Sequence, residues 1–513
     1  MRIGITLRTM VKRNGWLAIA IAAVFIGSSA QADVKLPNVF GDHMVLQQGQ
    51  RNKVWGLAEA GEAVTVSING QSQTATAAAD GTWSVFLDPV PVGGPYAFTV
   101  KGKNEIKFSD VLVGEVWVCS GQSNMQWSVN NSNDPDIEKL AAKYPKIRMI
   151  NFPQVGTQDV KWSHDDRKWM VCTPETVGGF SAVGYFFARQ LHQTLGVPIG
   201  MINNAWGGSA CEAWVRRDLL NADPLYKPLM DRWTQMESKY AELVAKGNSL
   251  SDEEKKQLQG LQNQMGGNSR PANIYNGVLK SHIGYGIKGA IWYQGESNAG
   301  RAYQYRDLFP LMIKNWRDDW GQGDFSFYWA QLADFQNEQP QPVESAWAEL
   351  REAQTMTMSK LPKTGEAVII DIGEGKDIHP KNKVDVGRRL ARWALAKDYG
   401  VAIPYHSPQY KAMAKTDNKI VLTFDYVDGG WRPFDVKEPR GFAIAGEDKK
   451  FVWANANVLK DNTIEVSSDQ VANPVAVRYG WADNPVVNMF DGAGLPLTPF
   501  RTDDWPGTTI NNK

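Results

Sequence analysis

Short runs of alternating apolar and polar residues follow residue 32 and predict an all-β region over residues 33–110. Ala63–Ile68 alternates before an Asn69-Gly70 turn, and Asp80-Gly81 precedes a second alternating run at 83–87. Asn-Gly and Asp-Gly between alternating runs are typical of β-hairpins. The pattern therefore predicts a small N-terminal β-sandwich.

From about residue 111 the pattern changes, and apolar strands alternate with amphipathic helices. The predicted strands are 115–120, 147–152, 199–203, 289–294, 325–332 and 367–372, and the predicted helices include 183–195, 303–318, 345–359 and 383–399. This alternation predicts a mostly parallel sheet covered by helices on both faces. Ligands of such sheets bind beyond the carboxyl ends of the strands.

Two further segments complete the predicted organisation. Residues 221–265 include a charged, helix-prone stretch at 234–262 and predict a helical insertion on the surface, with a helix start at Ser251-Asp252-Glu253-Glu254. After Gly400, short runs at 419–424, 442–445, 451–454 and 463–466 predict a β-rich C-terminal region over residues 401–513. The predicted fold class is α/β, with a central domain at 111–400 flanked by β-regions.

Residues 1–32 have the pattern of a secretory signal peptide. Basic residues precede an apolar run from Trp16 to Gly27, and Ala30-Gln31-Ala32 predicts cleavage after Ala32. The run is too short to span a bilayer, and no later stretch is apolar enough to do so. We therefore expect an exported protein, periplasmic or secreted.

Charge and cysteine content exclude several classes of function. The full chain has 55 basic and 55 acidic residues, and cleavage after Ala32 would remove basic residues only. The resulting acidic balance offers no basic field for nucleic acid and no attraction to an anionic membrane. No Cys or His cluster has zinc spacing, so we expect no metal. Three cysteines leave at least one thiol unpaired, and a Cys172–Cys211 disulfide is one pairing open to them.

A candidate nucleophile lies where the apolar run 114–119 ends, in Ser120-Gly121-Gln122-Ser123-Asn124-Met125. The pattern predicts Ser123 on a tight turn at the end of a strand. A hydroxyl in that position is exposed to substrate and backed by rigid structure, as an attacking nucleophile requires.

Two later segments could supply oxyanion donors. Asn203-Asn204-Ala205-Trp206-Gly207-Gly208-Ser209 contains a double glycine that lets a backbone N–H face a ligand. In the segment 289–298, Gln294 or Asn298 could donate an amide hydrogen bond, and Glu296 could orient neighbours or bind sugar hydroxyls. Each segment by itself also fits an ordinary turn before a helix.

A fourth segment, 371–380, contains His379 with Asp377 two residues before it. Asp377 could accept a hydrogen bond from the imidazole, which would fix the tautomer and leave the other ring nitrogen free as a base. Pro380 disfavours helical backbone at His379 and marks the turn before the next helix. Together, the four segments at strand ends predict a hydrolase site.

The four segments resemble the conserved blocks of the SGNH/GDSL hydrolase superfamily and, more narrowly, those of the sialate O-acetylesterase family. The matching motifs are Gly121-Gln122-Ser123-Asn124-Met125, Trp206-Gly207-Gly208, Trp292-Tyr293-Gln294-Gly295-Glu296-Ser297-Asn298 and Asp377-Ile378-His379-Pro380. Residues 40–47 and 479–482 also resemble that family. The resemblance therefore spans nearly the whole chain after residue 32.

The resemblance implies a three-layer, flavodoxin-like α/β domain with a parallel sheet, and a carbohydrate acetylesterase that needs no metal or cofactor. It implies Ser123 as nucleophile, His379 as general base and Asp377 as the residue that orients His379. The implied backbone oxyanion donors are the N–H of Ser123 and that of Gly208, with Gly207 as the alternative.

The third block departs from the superfamily pattern. The superfamily has Gly-x-Asn-Asp where this chain has Gly295-Glu296-Ser297-Asn298. The side-chain oxyanion donor is therefore either Gln294, which we favour, or Asn298.

The expected partner is an O-acetylated oligo- or polysaccharide. Candidates for stacking on sugar rings are the aromatic residues that flank the motifs, Trp127, Trp206, Trp292 and Tyr293. Arg301 could bind the carboxylate of sialic acid, but the sequence does not decide between O-acetylated sialic acid and a hemicellulose such as xylan or xyloglucan. The alternatives are a non-catalytic carbohydrate-binding protein and a lipase or thioesterase of the same superfamily. The sequence predicts no oligomeric state.

Overall fold

The computed structural model describes residues 33–513, so the predicted signal peptide lies outside the described residues. The strands are β1 Val45–Gln47, β2 Asn52–Leu57, β3 Ala63–Ile68, β4 Gln71–Thr76, β5 Thr82–Leu87, β6 Gly93–Lys101, β7 Glu105–Gly121, β8 Tyr144–Asn151, β9 Met170–Cys172, β10 Ile199–Asn203, β11 Gly289–Tyr293, β12 Ser326–Ala330, β13 Thr364–Ala367, β14 Gln409–Thr416, β15 Lys419–Asp425, β16 Phe442–Ala445, β17 Val452–Trp453, β18 Asn455–Val458, β19 Ile464–Ser467, β20 Ala476–Tyr479 and β21 Phe500–Arg501. The α-helices are α1 Ser123–Gln126, α2 Pro135–Ala141, α3 Ala182–Leu195, α4 Arg217–Ala222, α5 Lys227–Lys246, α6 Asp252–Met265, α7 Asn273–Gly277, α8 Ala302–Trp320, α9 Ala346–Lys360 and α10 Lys383–Lys397.

The central sheet is parallel, as the strand–helix alternation predicts. Strand β7 pairs with β10 on one side and β11 on the other, β10 also pairs with β8, and β12 and β13 continue the sheet beyond β11. The strand order is β8-β10-β7-β11-β12-β13, with β9 antiparallel at the β8 edge. Without β8, this is the 2-1-3-4-5 order of flavodoxin-like sheets, which bind ligands where the order reverses.

Side chains of β7 enter two different hydrophobic cores. Val116 and Val118 pack in a core that includes residues of α8 and α9, whereas Trp117 and Cys119 pack in a core that includes residues of α3 and α10. A strand that is buried on both faces must be apolar at every position, which explains the continuous apolar run in the sequence. The central sheet is therefore covered on both faces.

Strand β7 also joins the central sheet to the N-terminal region. Its first half pairs antiparallel with β6, and its second half lies between β10 and β11. The strand therefore runs through the predicted boundary at residues 110 and 111 without a linker. The N-terminal region is all β, with hairpin β3–β4 formed around Asn69-Gly70 and a second sheet of β2 and β5.

The predicted surface helical insertion consists of α5 and α6, which pack around a small core of Leu229, Trp233 and Met265. Ser251 and Glu254 form a capping box at the start of α6, as predicted. The C-terminal region forms two four-stranded antiparallel sheets, β14-β15-β19-β18 and β17-β16-β20-β21. No helix among residues 33–513 is long and apolar enough to cross a membrane.

The Cys172–Cys211 disulfide that the sequence left open does not form, and all three cysteines are buried free thiols. Cys172 belongs to the core on the α3 and α10 face of the sheet, whereas Cys211 belongs to the core on the opposite face and contacts Met312. A disulfide requires Cα atoms within about 7 Å, and the central sheet separates these two residues.

Candidate active site

Ser123 is the first residue of α1, directly beyond the carboxyl end of β7. Gly121 makes the turn with φ +131°, and a Cβ there would lie 2.2 Å from the carbonyl oxygen of Tyr293. Glycine is therefore required both by the backbone angle and by the close approach of β11. The turn places Ser123 at the edge of the sheet, with its N–H in the first turn of a helix, where such groups have no partner within the helix.

His379 and Asp377 lie together on the loop between β13 and α10. The backbone N–H of His379 donates to Asp377 Oδ1 at 2.9 Å, and His379 Nδ1 lies 3.5 Å from the same oxygen. Nδ1 therefore faces Asp377, and Nε2 is the other ring nitrogen. The hydrogen bond from the His379 N–H and the nearby Lys381 ammonium lower the pKa of Asp377, which keeps this carboxylate ionised.

The indole of Trp127 stacks on the imidazole of His379, with ring centroids 4.6 Å apart and planes at 11°. Trp127 Nε1 donates to the carbonyl oxygen of Asn131 at 2.8 Å, which holds the indole in place. Burial lowers the pKa of His379 below its usual value, although Asp377 raises it. His379 is thus a neutral imidazole at neutral pH, the form that accepts a proton.

Ser123 and His379 line one cleft of about 690 Å³. Within residues 33–513, the polar contacts of His379 are with Asp377 and none is with Ser123 Oγ; catalytic hydrogen bonds often form only when substrate is bound. The walls are rich in carboxamide side chains, namely Gln126, Asn131, Asn151, Gln154 and Asn203. Phe152 and Trp127 add aromatic surface, and Arg167 carries the one permanent charge among the described lining residues.

The double glycine lies beside the nucleophile, and Gly207 is the nearer of the two. A Cβ on Gly207 would lie 3.3 Å from Ser123 Cβ, whereas a Cβ on Gly208 would meet Asn268 and no atom of Ser123 within 4 Å. The N–H of Gly207 donates to Gln126 Oε1 at 2.7 Å. The geometry therefore favours Gly207 over Gly208 as a neighbour of the reacting group.

Neither predicted side-chain oxyanion donor faces the cleft. Gln294 is fully buried, and its Nε2 donates to the Ser209 carbonyl and to Asn298 Oδ1. Asn298 is also buried, and its Nδ2 donates to Glu212 Oε2 at 2.9 Å. Both predictions are wrong, because these amides are occupied in holding together the loops behind the cleft.

Three of the four aromatic candidates for sugar stacking lie outside the cleft. Trp292 and Tyr293 are fully buried, on opposite faces of β11. Trp206 is partly buried and packs against the same core as Trp292. The stacking prediction is therefore wrong for Trp292 and Tyr293. Only Trp127 lines the cleft, and one of its faces is occupied by His379.

The two charged substrate-binding candidates have protein partners. Glu296 Oε1 accepts a hydrogen bond from Asn124 at 2.6 Å, and its Oε2 is buried without a partner. Arg301 forms an ion pair with Glu212 and lines a separate depression beside the helical insertion. Neither lines the cleft that contains Ser123.

The sequence argument missed most of the polar wall of the cleft. Asn151 and Asn203 are the last residues of β8 and β10 and are directly paired in register, and Asn203 Nδ2 donates to Asn151 Oδ1 at 2.8 Å. Both strands are predicted from the pattern, so the shared position of these two asparagines at the carboxyl edge was a usable signal. Gln126 and Arg167 carry no such signal.

A family model, proteins of known function and a solved structure are all similar to this chain. The model of a family described as carbohydrate esterase, sialic acid-specific acetylesterase, matches residues 113–257 and 267–396. Sialate O-acetylesterases of mouse and human are each 28% identical to this chain; the mouse alignment covers 93% of this chain and 95% of the relative, and the human alignment 94% and 96%. The crystal structure of a carbohydrate acetylesterase from Xanthomonas citri has a TM-score of 0.79 and 37% identity, covering 92% of this chain and 100% of that one.

Proposed function

This chain belongs to the sialic acid-specific acetylesterase family of carbohydrate esterases and is a carbohydrate O-acetylesterase, and we propose that it acts as a serine esterase through an acetyl-enzyme on Ser123. The observation that carries the proposal is the common cleft of Ser123 and His379, with Asp377 beside the imidazole. The superfamily assignment, SGNH, is part of the same proposal and is supported by the flavodoxin-like strand order.

In the proposed reaction, His379 Nε2 takes the proton of Ser123 as Oγ attacks the acetyl carbonyl carbon. Asp377 faces Nδ1 and stabilises the imidazolium that forms. The protonated imidazole then gives its proton to the departing sugar oxygen, which leaves acetyl-Ser123. Water, deprotonated by His379, attacks this ester, and the imidazolium returns the proton to Ser123 Oγ as acetate is released.

The negative charge of each tetrahedral intermediate requires hydrogen-bond donors beside Ser123. We propose the N–H groups of Ser123 and Gly207 for this role. In the free enzyme, Gln126 Oε1 accepts the Gly207 hydrogen bond, and the oxyanion would take its place. Loss of one such donor typically lowers kcat by about 10² to 10³.

The chemistry of the cleft favours a neutral, polyhydroxylated substrate, such as acetylated xylan or xyloglucan. Carboxamides both donate to and accept from sugar hydroxyls, and they dominate the polar wall. Long acyl chains need an apolar wall, so the same composition disfavours the lipase and thioesterase alternative. A nucleophile and a base that line the same cleft disfavour a purely carbohydrate-binding protein.

Arg167 supports O-acetylated sialic acid as the second candidate substrate. Arg167 lines the cleft and could bind a carboxylate, but its Nε already forms an ion pair with Asp166 at 3.0 Å. The neutral polysaccharide therefore remains the first choice.

Acetate release from the two substrate classes tests this choice. The enzyme would be offered acetylated xyloglucan, acetylated xylan and O-acetylated sialoglycan side by side, together with the Arg167→Gln variant. We expect faster release from the hemicelluloses and little effect of the substitution on it. Release from the sialoglycan alone, abolished by Arg167→Gln, would instead assign the enzyme to sialic acid.

Export of the protein is a separate proposal that rests on residues 1–32 of the sequence. N-terminal sequencing of the protein recovered from the periplasm or medium tests it. We expect Asp33 as the first residue, and an uncleaved protein retained in the cytoplasm would contradict the proposal.

A further inference from the structure

We propose that Lys383 and Glu296 are positioning residues, which hold the loop of His379 against the turn of Ser123 through the side chain of Asn124. Neither residue lines the cleft, and neither takes part in the reaction steps above. The inference rests on the proposed roles of Ser123 and His379.

The side chain of Asn124 connects the two catalytic segments. Asn124 follows Ser123 in the chain and is buried. Its Nδ2 donates to the carbonyl oxygen of Ile378 at 2.9 Å and to Glu296 Oε1 at 2.6 Å. Its Oδ1 accepts from Lys383 Nζ at 2.5 Å. The residue after the nucleophile is thus bound to the residue before the base, and both polar ends of its amide are fixed by charged partners.

Lys383 occupies a position that is unfavourable for a lysine on grounds of stability. It is fully buried, and burial lowers its pKa to about 7. It is also the first residue of α10, where the helix dipole disfavours a cation. A buried ammonium costs stability unless it is well partnered. Such a residue beside a cleft is more simply explained by a role in catalysis.

Glu296 is the carboxylate with the largest electrostatic effect on Lys383. Burial raises the pKa of Glu296, whereas Asn124 and Lys383 lower it. Its Oε2 is buried and has no hydrogen-bond partner. The favourable interactions of the carboxylate with other side chains are therefore the hydrogen bond from Asn124 and the electrostatic attraction to Lys383. The ring of Tyr293 faces the Lys383 ammonium from β11, at 5.2 Å.

The charge of Lys383 also acts on His379. Lys383 and Lys381 lower the pKa of His379, and Asp377 raises it. The charged groups that influence Lys383 itself are Glu296, Glu374, Asp377 and Lys381. Removal of the Lys383 charge should therefore raise the pKa of His379, and the acid limb of the pH–rate profile should move to higher pH.

Lys383→Met, assayed with 4-nitrophenyl acetate as the full-length mature enzyme, tests the proposal. We expect kcat to fall by about tenfold or more, because a misplaced base is costly, with KM within about twofold of the wild type and the acid limb at higher pH. Lys383→Gln keeps a hydrogen-bond donor for Asn124 without the charge, so we expect a smaller loss of kcat and a similar displacement of the acid limb. Arg388→Met, at an exposed position on the same helix, is the matched control and should leave both unchanged.

The outcomes separate this inference from the proposed function. A folded Lys383→Met or Lys383→Gln enzyme with wild-type kcat and acid limb would overturn it, and so would a loss of kcat with an unmoved acid limb, which would indicate a structural role only. If Ser123→Ala retains activity, the nucleophile assignment fails whatever Lys383 does. If Ser123→Ala is inactive and the Lys383 variants behave as the wild type, only the positioning role fails.

Discussion

Trp127 provides the sharpest test of how His379 is tuned. Its indole lies 4.6 Å from the imidazole in a nearly parallel stack, and burial is the main cause of the lowered pKa of His379. Trp127→Ala removes both the stack and part of the burial. An aromatic stack is worth about 0.5–1.5 kcal/mol, or about two- to tenfold in the population of the aligned imidazole. We therefore expect kcat to fall by about that factor.

The same substitution should move the acid limb of kcat/KM to higher pH. The pKa of His379 lies below its ordinary value because of burial, so exposure raises it, and a higher pH is then needed to obtain the neutral base. A small acetyl ester is the right substrate, because it has no sugar ring to stack on Trp127. Trp127→Phe keeps an aromatic face and should stay close to the wild type. A Trp127→Ala enzyme with unchanged kcat and acid limb would refute this account of His379.

Three further predictions concern stability and the turn of the nucleophile. Gly121→Ala should abolish most activity and destabilise the protein by about 1–3 kcal/mol or more, since φ is +131° and the new Cβ would meet Tyr293; wild-type activity would contradict the required glycine. Trp292→Ala should lower the free energy of unfolding by about 3–5 kcal/mol in denaturant titrations, because the side chain is fully buried; a loss below 1 kcal/mol would contradict that packing. Thiol titration should find no reactive thiol in the native protein and three after denaturation, and reductant should leave the melting temperature unchanged; a reductant-sensitive melting temperature would contradict the three free thiols, Cys119, Cys172 and Cys211.

Most helices and strands could be predicted because their apolar period is strong. The bounds of β3, β10 and β16 coincide with the predicted runs at 63–68, 199–203 and 442–445. The last central strand differs, since the prediction at 367–372 follows the apolar run whereas β13 spans Thr364–Ala367. Val368, Ile369 and Ile370 are buried outside the strand, and hydrophobicity alone does not distinguish a buried strand from a buried loop.

The candidate site likewise contains residues that the sequence predicts and residues that it does not. The turn of Ser123 and the Asp377–His379 pair carry local signals, a strand end and a two-residue spacing. Trp292 and Tyr293 lie on opposite faces of β11 and are both buried. Nothing local to Trp292 distinguishes a residue that stacks on a sugar from a core residue. The helices that pack on both faces of the central sheet determine that these side chains are buried.

Hydrogen-bond partners that are distant in the sequence could not be predicted either. The sequence offers Gln294 as an amide donor, but its Nε2 donates to the Ser209 carbonyl and to Asn298 Oδ1, which are distant in the chain or buried with it. Lys383 is the first residue of a predicted helix, and only the fold brings it to Asn124. Long-range side-chain pairing of this kind leaves no periodic trace in a single sequence.

Detection of the acetyl-enzyme tests the central claim most directly. The mature protein would be mixed with an acetyl ester, quenched in acid within milliseconds to seconds, digested and examined by mass spectrometry, with Ser123→Ala in parallel. The account predicts one acetyl group on the peptide that contains Ser123 in the wild type, none in the variant, and no acetate release by a folded Ser123→Ala protein. Acetate release by that variant, or an acetyl group on a different residue that turns over at the catalytic rate, would contradict it.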